Sequence, residues 1–142
     1  MRQSMSINQL IDYINSDFYR KGRVNFRNKL LGFFRDESLR YLFYLRCVKF
    51  FQNRNKFFYF IFKYLHSSLG KKYGVKIPIE TDIGYGLYLN YFNGIYINGG
   101  SKIGNNCNIS HQVTIAKDNR KNGYPILGDN IYVAPGVKIV GG

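Results

Sequence analysis

The chain has 142 residues, 45% hydrophobic and 18% aromatic, with 21 Lys and Arg against 8 Asp and Glu and a formal net charge of +13. That length holds one domain or a domain with an appended subdomain, and the composition excludes a disordered chain. The charge attracts anionic partners, whether phosphorylated cofactors, acidic lipids or nucleic acid, and two cysteines exclude a disulfide framework.

Residues 1–72 read as a helical subdomain. No apolar secretory segment is visible in MRQSMSINQLIDYINSDF. SINQLIDYINSDF puts Leu10, Ile11 and Ile14 on one helical face, with Ser6 as N-cap. RDESLRYLFYLRCVKFF puts Leu39, Leu42, Phe43 and Leu45 inward and Arg40, Arg46 and Lys49 outward, with Asp36 or Ser38 as cap. NKFFYFIFKYLHSSLG reads as a third helix ended by Gly70, in which His66 is expected as a cation facing the terminal carbonyls. Its FFYFIF run, between Lys56 and Lys63, is far short of the ~20 residues of a membrane span. Packing on neighbouring elements is the favoured reading of that run; contact with an anionic membrane is the other. Cys47 and Cys107 read as small buried thiols of a cytoplasmic protein.

After YGVKIP the pattern changes. Ile77, Ile83 and Leu89 recur every six residues; after a shift of two, the period resumes at Ile97, Ile103, Ile109 and Ile115, then at Leu127, Val133 and Ile139. The next residue is often small: Gly84, Gly104, Ser110, Ala116, Gly128, Ala134. Two residues before come further inward candidates: Ile95, Ser101, Cys107, Val113, Ile131, Val137. A helix has period 3.6 and a strand period 2, so six fits neither. It fits one face of a three-sided coil, a parallel β-helix of hexapeptides over residues 73–142. A meander with Gly-rich turns is the alternative, and the strict spacing over Ile97–Ile115, resumed in phase at Leu127–Ile139, argues against it. GYG at residues 84–86 lacks the third glycine of a dinucleotide loop and fits the hexad instead.

Two segments break the repeat, LNYFNGI and AKDNRKNGYP. Interruptions of a rigid scaffold become loops, where function is placed. Eighteen residues make one coil, and LNYFNGI adds two. If these bulge outward, His111 stacks one rung from Tyr91 on the same face, ~4.8 Å away. His111 is then a candidate base, or else an ordinary polar outward residue at an interface between copies of the chain. Lys117, Arg120, Lys121 and Lys138 are candidate phosphate partners.

YGVKIPIETDIGYGLYL, NGIYINGGSKIGNNCNISHQVTI, the basic loop and YPILGDNIYVAPGVKIVGG, in that order, resemble hexapeptide-repeat acyltransferases of the serine acetyltransferase-like branch. The resemblance implies an α+β chain: an N-terminal helical subdomain followed by a left-handed parallel β-helix, assembled as a homotrimer with sites between neighbouring prisms. It implies acetyl transfer from acetyl-CoA, without metal, to a hydroxyl of serine or of a surface polysaccharide. A histidine acts as base and backbone amides support the oxyanion. Tyr91 matches the position of the branch's catalytic His, and Tyr124 a second His before the proline of the basic loop. The catalytic candidates are therefore His111 and Tyr91. Asn90 and Tyr124 are candidates for the acceptor, and Ala116, Lys117, Ala134, Gly136 and Lys138 for the cofactor. A catalytically impaired or non-catalytic trimeric scaffold stays open beside this reading, because tyrosine stands at both histidine positions. The chain stops at KIVGG where the branch continues, so the coil is expected to be truncated there. A cytoplasmic location is expected, with contact at the inner face of the membrane as the less favoured alternative. Nucleic acid is not, because the basic residues are dispersed.

Overall fold

The computed structural model describes residues 5–120 and 123–142. Among these, four helices precede nine short strands. Helix α1 (Ile7–Arg20) starts in a capping box: the Ser6 hydroxyl accepts from Gln9 N–H, and the Gln9 side chain accepts from Ser6 N–H. Its buried residues are Leu10, Asp17 and Phe18. Ile11, expected inward, is 48% exposed, because the packed stripe turns through positions 10, 17 and 18 rather than 10, 11 and 14.

Helix α2 (Phe26–Arg35) was not legible in the pattern. Its apolar residues Phe26, Leu30 and Phe34 share one helical face but are exposed, and Gly32 is its buried residue. Helix α3 (Glu37–Phe51) is capped by Asp36, whose carboxylate accepts from Ser38 and Leu39 N–H; this decides between the two capping candidates. Helix α4 (Lys56–Tyr73) runs a turn past Gly70 and stops at Gly74, which is left-handed at φ 64°. Gly70 lies within the helix, and glycine is required there because a Cβ would stand 2.5 Å from the Val75 carbonyl oxygen.

Three further sequence expectations fail in this half. Arg46 does not face solvent: it is 1% exposed, with Nε 3.0 Å from Asp17. His66 is no helix-end cation. It is buried against the Tyr41 ring, centroids 4.2 Å apart, and burial pushes its pKa down to about 4. The FFYFIF run is not packed away either, since Phe57, Phe58, Phe60 and Ile61 are exposed. Phe62 does stack on Phe51, rings 5.6 Å apart. Among the described residues no helix is long and apolar enough to cross a membrane.

The strands are β1 (Asp82–Ile83), β2 (Tyr88–Leu89), β3 (Tyr96–Ile97), β4 (Lys102–Ile103), β5 (Asn108–Ile109), β6 (Thr114–Ala116), β7 (Ile126–Leu127), β8 (Tyr132–Val133) and β9 (Lys138–Val140). They form three parallel sheets, β1-β4-β7, β2-β5-β8 and β3-β6-β9, the walls of a left-handed β-helix. Ile83 registers with Ile103 and then Leu127, Leu89 with Ile109 and then Val133, and Ile97 with Ile115 and then Ile139. The aliphatic hexad residues through Val133 are buried, and Ile139 is half-buried. Ile95, Ser101, Cys107 and Val113 are buried as expected, whereas Ile131 is 39% exposed in the outermost coil, which has a neighbouring coil on one side only. A Cβ on Gly104 would stand 2.6 Å from the Gly128 carbonyl carbon, which explains the small residue at that corner.

Helices and coil share one apolar core. Tyr41, Leu42 and Leu45 of α3 join Val75, Ile77, Ile83 and the coil interior. The join is also polar. The Arg46 guanidinium donates to the Ile83 and Gly84 carbonyls at 3.0 and 2.7 Å, and Asp17 accepts from Leu87 N–H at 2.9 Å. Burial raises the Asp17 pKa, opposed by Arg46 and by the backbone N–H groups of Leu87 and Gly86. Cys47 and Cys107 are free and buried, and burial pushes the Cys47 thiol up to about 12.

Candidate active site

The insertion LNYFNGI is built around Phe92. Its ring packs against Tyr41 and Tyr73, at 5.1 and 5.3 Å between centroids, so the extra residues are pinned to the helical half. With Phe92 turned inward, Tyr91 adopts a left-handed backbone, φ 52°, uncommon for a bulky residue, and its side chain is 70% exposed. The walls keep register across the insertion, with Leu89 opposite Ile109. Two residues beyond each, Tyr91 and His111 meet edge to face, rings 5.4 Å apart at 85°. This is the rung relation expected from spacing. Asn90, half-buried, donates its N–H to the Ile109 carbonyl at 2.8 Å.

One coil further on, Gly136 donates its N–H to the His111 carbonyl at 3.1 Å and is left-handed at φ 76°, with open space where a Cβ would be. Ala134 is half-buried beside it. The buried Nδ1 of His111 has no hydrogen-bond partner among the described residues. Tyr91, His111, Ala134 and Gly136 thus line one corner, between the β2-β5-β8 and β3-β6-β9 walls.

The remaining candidates lie along the β3-β6-β9 wall and at its other edge. Ala116 is half-buried in β6 and pairs with Val140; Thr114 pairs with Lys138, whose Nζ stands 3.3 Å from the Thr114 hydroxyl. Past the wall, Asp118 and Gly123 close the base of the basic loop as an antiparallel bridge, and Arg120 N–H donates to the Asp118 carboxylate at 2.8 Å. Lys121 lies outside the described residues. Tyr124 lays its ring on Gly100, in the space a Cβ would fill, and Lys117 Nζ sits 5.1 Å from the centre of that ring. The structure therefore brings Tyr91 and His111 together and sets Lys117 and Tyr124 at the opposite edge of the same wall.

Two residues that shape the site escaped sequence reasoning. Phe92 sets the Tyr91 backbone; its signal was an aromatic outside the hexad phase. Gly100 admits the Tyr124 ring; its signal was the GG pair at a corner, where coil neighbours approach closely. Among the described residues, no group of three or more His, Cys, Asp or Glu side chains is placed to hold a metal ion.

No family model matches the chain. A serine acetyltransferase of Buchnera aphidicola is 31% identical over 115 residues, covering 79% of this chain and 41% of that protein. A serine acetyltransferase solved in complex with CoA superposes with a TM-score of 0.74 at 20% identity, covering 96% of this chain and 57% of that one. The Neisseria gonorrhoeae serine acetyltransferase solved with serine gives a TM-score of 0.72 at 18% identity, covering 96% and 57%. The chain spans about half the length of the relatives it matches.

Proposed function

We propose that this chain, serine acetyltransferase-like in sequence and fold, transfers the acetyl group of acetyl-CoA to the hydroxyl of serine, with His111 as general base. The pairing of Tyr91 with His111 carries the reading. The family resemblance puts the base at the position of Tyr91, and an imidazole stands one rung away in the same corner. No hydrogen bond among the described residues holds His111 Nδ1, so the protein does not fix the tautomer.

The imidazole takes the proton as the serine oxygen attacks the thioester carbonyl carbon. Backbone N–H groups support the tetrahedral oxyanion. As the C–S bond breaks, the imidazolium returns that proton to the departing thiolate, leaving O-acetylserine and the free CoA thiol. Tyr91 and Asn90 contact the acceptor from the same corner. The small residues Ala116, Ala134 and Gly136 leave room for the pantetheine arm along the wall, and Lys117 and Lys138 face the CoA phosphates. Tyr124 belongs with the acceptor. The relative solved with CoA and the one solved with serine support these two ligand classes.

The two groups of candidates occupy opposite edges of one wall, so a neighbouring copy that lays its far edge against the Tyr91 corner completes the site. A homotrimer does this with three equal sites. The reaction belongs where acetyl-CoA is, in the cytoplasm.

The test is thiol release from acetyl-CoA by the full chain, with and without L-serine. Serine-dependent release that falls by ~10² or more in His111→Ala, and by less in Tyr91→Phe, is expected. Turnover unchanged in His111→Ala removes His111 from the chemistry. No turnover in the unmutated protein favours the non-catalytic scaffold, and release with a free hexose but not with serine overturns the acceptor.

A further inference from the structure

The prism has a second recess, at a different corner from Tyr91 and His111. It lies where the end of α1 and the turn into α2 meet the corner carrying Asn106 and Asn130, and its volume is about 570 Å³, within the range of small-molecule sites. Among the described residues three cations line it, Arg20, Arg23 and Lys29, and no carboxylate does.

None of the three pairs with a carboxylate among the described residues. Arg20 Nη2 donates to the Asn106 carbonyl at 3.3 Å and to the Asn108 side-chain oxygen. Lys29 Nζ donates to the Asn15 side-chain oxygen at 2.7 Å. The Nε groups of Arg20 and Arg23 are buried without a hydrogen-bond partner among the described residues. Other cations of the helical half behave differently: Lys21 pairs with Asp36 and Arg46 with Asp17, each at 3.0 Å. Three like charges around one recess repel one another, and an anion between them removes that repulsion.

We propose that this recess binds the doubly charged phosphoryl group of a small molecule. Two guanidinium groups supply planar donor pairs that match phosphoryl oxygens, and Lys29 adds a point charge. Asn15, Ser16, Asn106 and Asn130 add neutral polar groups, while the exposed Tyr19 and Val24 form a lip for the organic part. A ligand here touches α1, the α1–α2 turn and two coils at once, and so fastens the helical half to the prism. The site is independent of acetyl transfer, which uses another corner.

The test is calorimetric titration of the full chain with sodium pyrophosphate, repeated on Arg23→Gln, Lys29→Gln and the double variant. Saturable binding of one pyrophosphate per chain is expected, weakened about tenfold or more in the double variant and unchanged in His111→Ala or with CoA present. Because Arg23 also packs on Gly32, its variant is checked by circular dichroism, and Lys29→Gln carries the test if Arg23→Gln does not fold. A parallel arm measures co-sedimentation with phosphatidylcholine vesicles containing phosphatidic acid. Vesicle binding that needs Arg23 and Lys29, without pyrophosphate binding, identifies a lipid headgroup as the source of the phosphoryl group. Absence of both, equal affinity in the variants, or displacement by CoA overturns the proposal.

Discussion

The helical half and the coil are governed by different kinds of information. In the coil, position within the repeat fixes environment: Ile103, Ile109 and Ile115 are buried because each occupies the same place in its turn, whatever lies far away in sequence. In the helices, position on the wheel is only a suggestion that tertiary partners overrule. Arg46 lies on the polar side of a helix by sequence, yet Asp17, 29 residues earlier, and two coil carbonyls, 37 and 38 residues later, draw it inside. A repeat carries its long-range contacts in its period, whereas a helix pair does not.

Mutations that respect one half's logic and violate the other's test this contrast. The largest effect is expected at Arg46. Arg46→Ala leaves Asp17 buried without its partner, and a loss of about 3–5 kcal/mol is expected in urea unfolding. Adding Asp17→Asn should recover part of it; equal losses in the single and double variants would mean that the pair is not what couples α1 to α3. Next comes His66. Its folded pKa of about 4 lies below the ordinary 6.5, so between those values the unfolded chain takes up a proton that the folded chain does not. Stability is complete above pH 6.5 and falls by up to about 3 kcal/mol as pH descends to 4. His66→Phe should flatten this part of the profile, and a profile parallel to that of the unmutated protein would place the imidazole in water.

The glycine corner offers a contrast inside the coil. Gly104→Ala presses on the Gly128 carbonyl and is expected to cost about 1–3 kcal/mol. Gly128→Ala, with nothing within 4 Å of its Cβ, should stay within about 0.5 kcal/mol. Equal effects would mean that the coil relaxes around the methyl group. The smallest effect is expected at Ile11→Ala, also within about 0.5 kcal/mol, because that side chain is exposed despite its place in the helical pattern. A loss above about 2 kcal/mol there would restore the wheel reading, since that is what a buried isoleucine gives.

The coil was legible from Ile77 onward because six-residue spacing has few structural solutions. The same arithmetic placed Tyr91 beside His111, since a two-residue bulge leaves the walls in register. The Asp17–Arg46 join was not legible, because neither residue carries a local sign of burial. Nor was the fate of His66, whose low pKa follows from burial, against a Tyr41 ring 25 residues earlier in sequence. Of the candidate site, the corner pair came from spacing, while the placing of Tyr124 on Gly100 depends on how the basic loop folds back, which no period describes.

Successive turns of the prism differ in length. Asp82 pairs with Lys102, Tyr96 with Thr114 and Lys102 with Ile126, so turns of 20, 18 and 24 residues feed the same walls. Each extra residue is taken up at a vertex, where lengthening an excursion is cheap, ~0.6 kcal/mol per doubling. A residue added between Lys102 and Ile103 would instead turn an aliphatic side chain out to water. Vertices are therefore where such a chain can gain or lose sequence without renegotiating its interior, and new ligand-facing groups can be grafted there one excursion at a time.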